Sequence, residues 1–496
     1  MKSSASSLFV LSCFPLSRGK SLFWWTLFLA VGLHTLLGEP SLPEGLGGGR
    51  KDDNATAPGS GPDAGPAEVR LPEGLGGGAT TPQKYPDEEA EKTVPNRWER
   101  LLSSLSGYTE LRYGQRLQSD PLQKAETVPE FRWQMNLDES EGRARVRLSA
   151  DFLYNSVVPS HAVDLRRGTG WVDLREAWLD LRPTSFLDLR LGRMIATWGT
   201  GDLLFLNDLF PKDWRSFLLG RDVDYLKAPT QGVRAQGYFE WFNFDLLVNP
   251  EFAPDRYLDG RQVSFYDPAI GAKRGLGNPL NAQLSRGSET HLRLHRMIGG
   301  TETALYFYEG YWKSPGGRDD TGIATFPELR TYGASVRGNV AGGIGNFEFS
   351  YYDSREDGNG TDPQINNSQM RYLVGYEREV SQDFTVGVQA YVEQKLDFNA
   401  YRQNLPVGFP EEDEYRSVLT LRLTRLLPLK NLELSTFLFY SPTDEDWYGR
   451  PSVEYKISDY WTVSIGAGLF GGQQESTFYN QFEDNTNAWI SVRWGY

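Results

Sequence analysis

Cysteine is almost missing from this chain of 496 residues, the sole example being Cys13. An intrachain disulfide is therefore impossible, and cysteine-based zinc or nucleophile chemistry is excluded from everything downstream. Histidine is nearly as scarce (His34, His161, His291, His295), which leaves little room for metal chemistry, and no cofactor is expected. Positive charge is also in deficit: 51 Lys and Arg face 65 Asp and Glu, for a formal net charge of −14. A nucleic-acid partner wants a basic footprint and is not expected. Past the first 38 residues there is no apolar run of the roughly 18 residues that a membrane-spanning helix needs. No P-loop, zinc-type histidine spacing or dinucleotide fingerprint occurs either.

What is present is aromatic. Tyr, Phe and Trp number 25, 27 and 14, yet mean hydropathy is −0.49. Many aromatics in a chain that is hydrophilic on average implies apolar residues spread over alternating positions. Residues 1–38 read as an export signal: Lys2, Arg18 and Lys20 are basic, and Leu22–Leu33 forms an apolar run too short to span a bilayer. Residues 39–95 are rich in Gly, Pro, Asp, Glu and Ala with no hydrophobic period, so they cannot bury a core. Leu-Pro-Glu-Gly-Leu-Gly-Gly-Gly occurs twice there, at 42–49 and 71–78. It reads either as a flexible periplasmic linker or as a docking motif.

Residues 96–496 have a different character. Phe131, Trp133, Met135 and Leu137 alternate with Arg132, Gln134, Asn136 and Asp138, and Val146, Leu148 and Ala150 alternate with Arg145, Arg147 and Ser149. A strand points successive side chains to opposite faces, so each such run has one greasy and one polar side. About 18 segments of this kind can be counted, of roughly the 10 residues that a tilted strand needs to cross a bilayer. Short connections such as Glu139–Gly142 and Ile298–Gly300 alternate with long ones, at about 117–128, 154–170, 198–230, 249–288, 313–327, 353–367, 395–412, 441–447 and 471–484. The expected fold is an all-β, up-and-down antiparallel transmembrane barrel of about 18 strands, with short periplasmic turns and long extracellular loops.

The last strand, Ala488–Tyr496, carries Val492, Trp494 and Tyr496 on its apolar face. A terminal strand ending on an aromatic residue resembles the insertion signal of Gram-negative outer-membrane barrels. That resemblance implies the barrel-assembly machinery as a partner, and outer-membrane lipid and lipopolysaccharide as surroundings. A soluble propeller or sandwich also uses short antiparallel strands, but its Phe, Leu and Val faces would need a second layer where lipid can serve here.

With apolar positions outward, a basic row points into the lumen: Arg112, Arg132, Arg143, Arg145, Arg147 and Arg190, then His291, Arg293 and His295. Guanidinium rows can conduct or bind anions. The plainer reading is that they pair with lumenal carboxylates, for which Glu110, Asp138, Asp188 and Glu348 are candidates. The connections 198–230 and 249–288 carry more apolar residues than exposed loops need, Phe205, Trp214, Phe217 and Phe252 among them. One or both should pack into the barrel mouth as a constriction or plug, since about 18 strands enclose a wide lumen.

Leu174-Arg-Glu-Ala-Trp-Leu-Asp-Leu181, Leu189-Arg-Leu-Gly-Arg-Met-Ile-Ala-Thr-Trp-Gly199 and Asn207-Asp-Leu-Phe-Pro-Lys-Asp213 together resemble a segment of alginate-export-type and related large outer-membrane barrels. The match covers about 40 residues; the Gly-rich amino extension departs from the pattern. It implies a porin-like channel in the cell outer membrane, with Gly192-Arg193 and Trp198-Gly199 near the mouth. The expectation is passive diffusion of small-molecule or oligosaccharide solutes with a preference for anions. A plugged barrel serving binding or envelope structure is the alternative. A barrel-borne hydrolase built on Ser288, His291 and His295 is a weaker one, and no enzymatic activity is expected.

Overall fold

The computed structural model describes residues 104–157, 161–427 and 430–496. The expected export signal, the Gly-rich segment and the start of the 96–496 region lie outside these residues. Among the described residues the chain forms 18 barrel strands in one sheet. They are β1 (Leu105–Arg116), β2 (Glu130–Glu141), β3 (Ala144–Asn155), β4 (Val172–Thr184), β5 (Leu187–Met194) and β6 (Thr230–Tyr238). Then come β7 (Asn243–Asn249), β8 (Glu289–Ile298), β9 (Thr301–Tyr311), β10 (Glu328–Val340), β11 (Gly343–Ser354) and β12 (Gln369–Ser381). The last six are β13 (Phe384–Lys395), β14 (Tyr415–Leu426), β15 (Leu432–Ser441), β16 (Asp446–Lys456), β17 (Trp461–Gly471) and β18 (Asn487–Gly495). Each strand pairs antiparallel with the next. The ring closes where β1 pairs with β18, from Tyr108 opposite Gly495 to Arg116 opposite Asn487. Closure leaves no sheet edge, so every strand has two hydrogen-bonded neighbours, as hydrocarbon surroundings demand.

The alternation in the sequence maps onto inside and outside. Leu305, Val374, Ile465 and Leu111 point outward and remain more than half exposed (61, 57, 53 and 62%). Trp133, Leu148, Leu191, Val336, Val388, Leu419 and Ile490 share that outer surface on other strands. Asp151, Asp245, Glu348, Ser350 and Ser491, on the intervening positions, are buried inside. Exposed apolar surface spread around a whole barrel far exceeds what a water-soluble monomer presents, and lipid is the solvent that covers it. The exterior is not packed beneath any second sheet: the two other described sheets are two-stranded, at Gly317–Arg318 with Ala324–Thr325 and at Phe265–Asp267 with Ala272–Arg274. At the short-turn end, Trp461, Trp494 and Tyr496 form a row of rings with centroids 6.5 and 5.5 Å apart. Trp133 Nε1 donates to the Tyr496 hydroxyl at 2.8 Å. Amphipathic rings of this kind settle at a membrane interface.

Local chemistry sets the tight turns. Gly299-Gly300 and Ala341-Gly342 join adjacent strands with positive φ at both positions (55° and 82°, 48° and 78°). That mirror-image turn matches the twist of the flanking strands and suits glycine. One expected contrast in length is not seen. The connection foreseen as long at 441–447 comprises only Pro442–Glu445, because β15 and β16 extend further than the alternation suggested, and Glu445 turns the chain at φ 52°. The opposite-end connection before β15, residues 427–431, is no shorter.

An arginine replacing Val388, midway along β13 on the lipid face, is expected to cost roughly 2–4 kcal/mol of folding stability in a bilayer. Denaturant unfolding of protein refolded into vesicles measures this; an unchanged midpoint would contradict an outward-facing Val388.

Candidate functional site: the occupied lumen

The connection between β5 and β6, residues 195–229, does not rise over the rim. It turns into the barrel, and the turn starts at Gly199, whose φ of 83° suits glycine. A Cβ there would stand 3.1 Å from a Glu348 carboxylate oxygen. Glu348, buried on the inner face of β11, accepts hydrogen bonds from the backbone N–H groups of Thr200 and Gly201 and, at 3.1 Å, from Asn207 Nδ2. Asp202 pairs with Arg422 of β14 at 2.8 Å, and its backbone N–H donates to Gln389 of β13 at 2.7 Å. The Tyr352 hydroxyl donates to the Leu206 carbonyl at 2.6 Å. These contacts hold the near end of the segment on β11–β14.

The far end carries the short helix Trp214–Leu218, whose N-terminus is capped by Asp213 accepting from Ser216 N at 3.0 Å. Its Phe217 ring meets Phe439 and Tyr448 edge-on, with centroids 5.9 and 5.3 Å apart. Leu206, Leu218, Leu219 and Leu226 join Tyr391, Val418, Phe437 and Phe470 of the wall in one buried cluster. Each such side chain contributes roughly 1.5–3 kcal/mol on leaving water. On the remaining sectors Arg221 pairs with Glu130 at 2.6 Å, Arg493 with Asp222 at 3.2 Å, and Arg132 stacks over Tyr225 at 3.9 Å. The segment is thus tied to the wall almost all the way round, inside the lumen.

Of the aromatic residues singled out in the long connections, Phe205, Trp214 and Phe217 belong to this interior cluster. Phe252 does not. It packs with Tyr257, Leu280, Ala324 and Phe326 among the outer connections, so 250–288 covers the mouth there while 195–229 enters it. The two are joined by Arg256, which bridges Asp173 at 2.7 Å and Asp213 at 3.4 Å. Burial alone would push the Asp213 carboxyl up, but Arg215 and Arg256 hold it below the usual carboxylate range. Asp255, which accepts from Trp214 Nε1 at 2.9 Å, is pushed up by burial.

The basic row faces inward, with one correction. Arg143 lies outside the strands, exposed at the turn between β2 and β3, and donates to the Pro183 carbonyl at 3.1 Å. The others have partners. Arg112 pairs with Glu110 at 3.1 Å, and Arg132 with Glu130 at 2.7 Å and with Asp151. Asp138 lies between Arg145 and Arg147 at 2.7 and 2.9 Å, and Arg147 also reaches Glu176 at 2.6 Å. Arg190 pairs with Asp180 at 2.8 Å and Arg293 with Glu302 at 2.5 Å. Of the foreseen carboxylates, Glu110 and Asp138 hold arginines of the row and Asp188 holds Arg182 at 3.6 Å, whereas Glu348 holds backbone instead. His291 is buried and stacked on Phe210, with ring centroids 4.5 Å apart, and its Nε2 has no hydrogen-bond partner among the described residues. His295 is half-buried on the same face of β8.

Sequence reasoning missed Asp202, Gln389 and Arg422, since nothing local marks residues that meet across 187 and 220 positions. It also missed the apolar sector of the inner wall. A signal was present: Phe437-Leu-Phe439 is apolar on both faces, which a strand between lipid and water would not be.

No protein-family model matches the chain, and no curated protein is detectably similar to it. Solved structures of similar shape include Acinetobacter baumannii OccAB4, 10% identical over 79% of this chain and 97% of that one, with a TM-score of 0.49. Pseudomonas aeruginosa OccK11 (OpdR) is 10% identical over 79% and 95%, with a TM-score of 0.47. A mutant of the porin of Rh. blastica is 9% identical over 79% and 99%, with a TM-score of 0.35. At such identities and TM-scores the likeness carries nothing about what the chain binds or passes.

Asp151→Ala should leave the buried Arg132 with only Glu130 as a carboxylate partner, at a cost of about 1.5–3 kcal/mol. Asp138→Ala, among half-exposed arginines, should cost under about 1 kcal/mol. Unfolding of the two variants in vesicles tests that order; equal losses would contradict the burial difference.

Proposed function

We propose that this barrel of the Gram-negative outer membrane is a porin-like passage for small hydrophilic solutes, narrowed by its own 195–229 segment. The location follows from architecture: closed all-β spans with an apolar exterior are the form that outer-membrane proteins take. The observation that carries the reading is the inner wall below the segment. From Asp138, Arg145 and Arg147 through Glu176, Asp180 and Arg190 to Arg293 and Glu302 it is lined by charges, several of them partly exposed. A wall of that kind faces water and suits hydrophilic solutes.

The arginines expected to favour anions are compensated by neighbouring carboxylates on the same or adjacent strands, so the fixed field along the wall is weak. We infer a passage with little ion selectivity, in which size and hydrogen bonding discriminate. Hydrolysis has less support. A nucleophile needs an adjacent base, and His291, the one histidine deep in the barrel among the described residues, stacks on Phe210 with Nε2 unpartnered among them. The apolar cluster around Phe217 favours a second reading, a permanently plugged barrel that binds or braces the envelope. Lipopolysaccharide around the outer rim and the assembly machinery at insertion belong to this proposal as partners.

Planar-bilayer recording separates the two readings. The native chain is expected to show small unitary steps, with a reversal potential near zero in a potassium chloride gradient. Phe217→Ala, which removes about 3–5 kcal/mol of packing from the segment, should enlarge the steps. Silence from both proteins would leave only the plugged barrel.

A further inference from the structure

Below the 195–229 segment the two sides of the lumen differ in what fills them. Along β2–β9 the inward positions carry long side chains that pair with one another: Asp138 with Arg145 and Arg147, Asp180 with Arg190, Glu302 with Arg293. Arg190 also lies over the Trp178 ring at 4.0 Å. Along β13–β17 one inward rung carries nothing larger than threonine. Thr385 stands opposite Thr424, Thr424 opposite Ser435, Ser435 opposite Ser452, and Ser452 opposite Gly466. Four strand spacings of about 4.8 Å make this a belt about 19 Å wide. It ends where the Trp489 ring lies over Gly466.

Water reaches the belt. Thr385, Thr424, Ser435 and Ser452 are all partly exposed. So is the ion pair of Asp202 with Arg422, one rung above (35 and 41%). Phe437 and Arg450, on that same upper rung, both meet the segment, so the belt lies just beneath it. At its β13 end the belt runs into an open recess of about 450 Å³, lined by Thr385, Asn339, Ile344, Glu377 and Glu379 among others. The rung below sets Glu433 opposite Glu454.

Long paired side chains claim the space on one side of the lumen, and short hydroxyls leave it free on the other. We propose that the solute's route below the segment runs along β13–β17, and that the hydroxyl belt with Glu433 and Glu454 binds polyhydroxylated, sugar-sized solutes there. The inference rests on the channel reading above and adds the route and the solute class. A Ser or Thr hydroxyl both donates and accepts, and a carboxylate accepts at two oxygens. A polyol presents donors and acceptors together, so it exchanges its hydration for this wall group by group, at little net cost. An anion gains nothing from two facing carboxylates, and the arginines across the lumen are already paired. Each contact on the belt is weak and wet, which lets a solute leave as readily as it enters.

Labelling in planar bilayers tests the route in the full chain, with Cys13→Ser as background. A bulky uncharged methanethiosulfonate on Ser435→Cys should cut unitary conductance at least threefold, reversibly with a reductant. The same label on His295→Cys, on the arginine side, should cut it by less than half. Raffinose, a neutral trisaccharide, tests the class. Added to the bath it should interrupt the native current, and Ser435→Ala with Ser452→Ala should raise its half-blocking concentration at least fivefold. A Ser435→Cys thiol that the reagent does not reach, or an equal or larger loss at His295→Cys, overturns the route. No block by raffinose, block that the alanine pair leaves unchanged, or stronger block by spermidine overturns the solute class. Those outcomes leave the channel reading standing, whereas a parent that carries no current overturns it and this inference together.

Discussion

Everything in this molecule depends on the pairing of β1 with β18. Hydrocarbon offers no hydrogen-bonding partner, so an open edge in a membrane would strand a row of backbone N–H and C=O groups, each at a cost of several kcal/mol. The register from Tyr108–Gly495 to Arg116–Asn487 removes that edge by joining the two ends of the sheet. Once the ring is shut, side-chain alternation has only one arrangement to adopt, with Leu111, Val492 and Ile490 outward and Arg112, Ser491 and Arg493 inward. Interior and exterior then become separate solvents, and each face of every strand is selected for a different one.

A ring of this many strands creates its own difficulty, because its lumen is wider than wall side chains can fill. The chain answers with the 195–229 segment, which is anchored both by apolar burial and by directed hydrogen bonds. The helix Trp214–Leu218 buries apolar surface against a sector of wall that is itself apolar, a contact that is strong and insensitive to direction. The stretch before it adds directed hydrogen bonds to Glu348, Gln389 and Tyr352, and buries Trp198, Leu209 and Phe210 against Ala304, Tyr306, Tyr308 and Leu329. The connection is therefore held along its length, by apolar burial for strength and by hydrogen bonds for its path. Paired charges on the lower wall act in the same spirit: Arg145, Asp138 and Arg147 keep the lining polar without leaving a strong net field.

How far this could be read in advance varies with the range of the interaction involved. The barrel and its strand number were legible, because each strand writes its two environments into a period of two residues. The inward direction of Arg112, Arg132 and Arg190 followed from the same period. The status of those arginines did not: pairing with Glu110, Asp151 and Asp180 depends on cross-strand register, and Glu348, apparently available to the row, is taken by the backbone of Thr200 and Gly201. The extent of β15 and β16 was misjudged for a similar reason, since Pro442–Glu445 is a tight connection only once its neighbours are aligned.

From its residues alone the chain specified which side of each strand meets lipid, since burial on one face is a local, periodic demand that neighbouring positions satisfy independently. The path of residues 195–229 was left to the closed barrel. Phe217 and Asp202 are apolar and acidic residues like many others until Tyr448 and Arg422, more than 200 positions further on, are carried by the ring to meet them. Contacts of that separation carry no local periodicity, and only the completed cylinder brings their partners within reach.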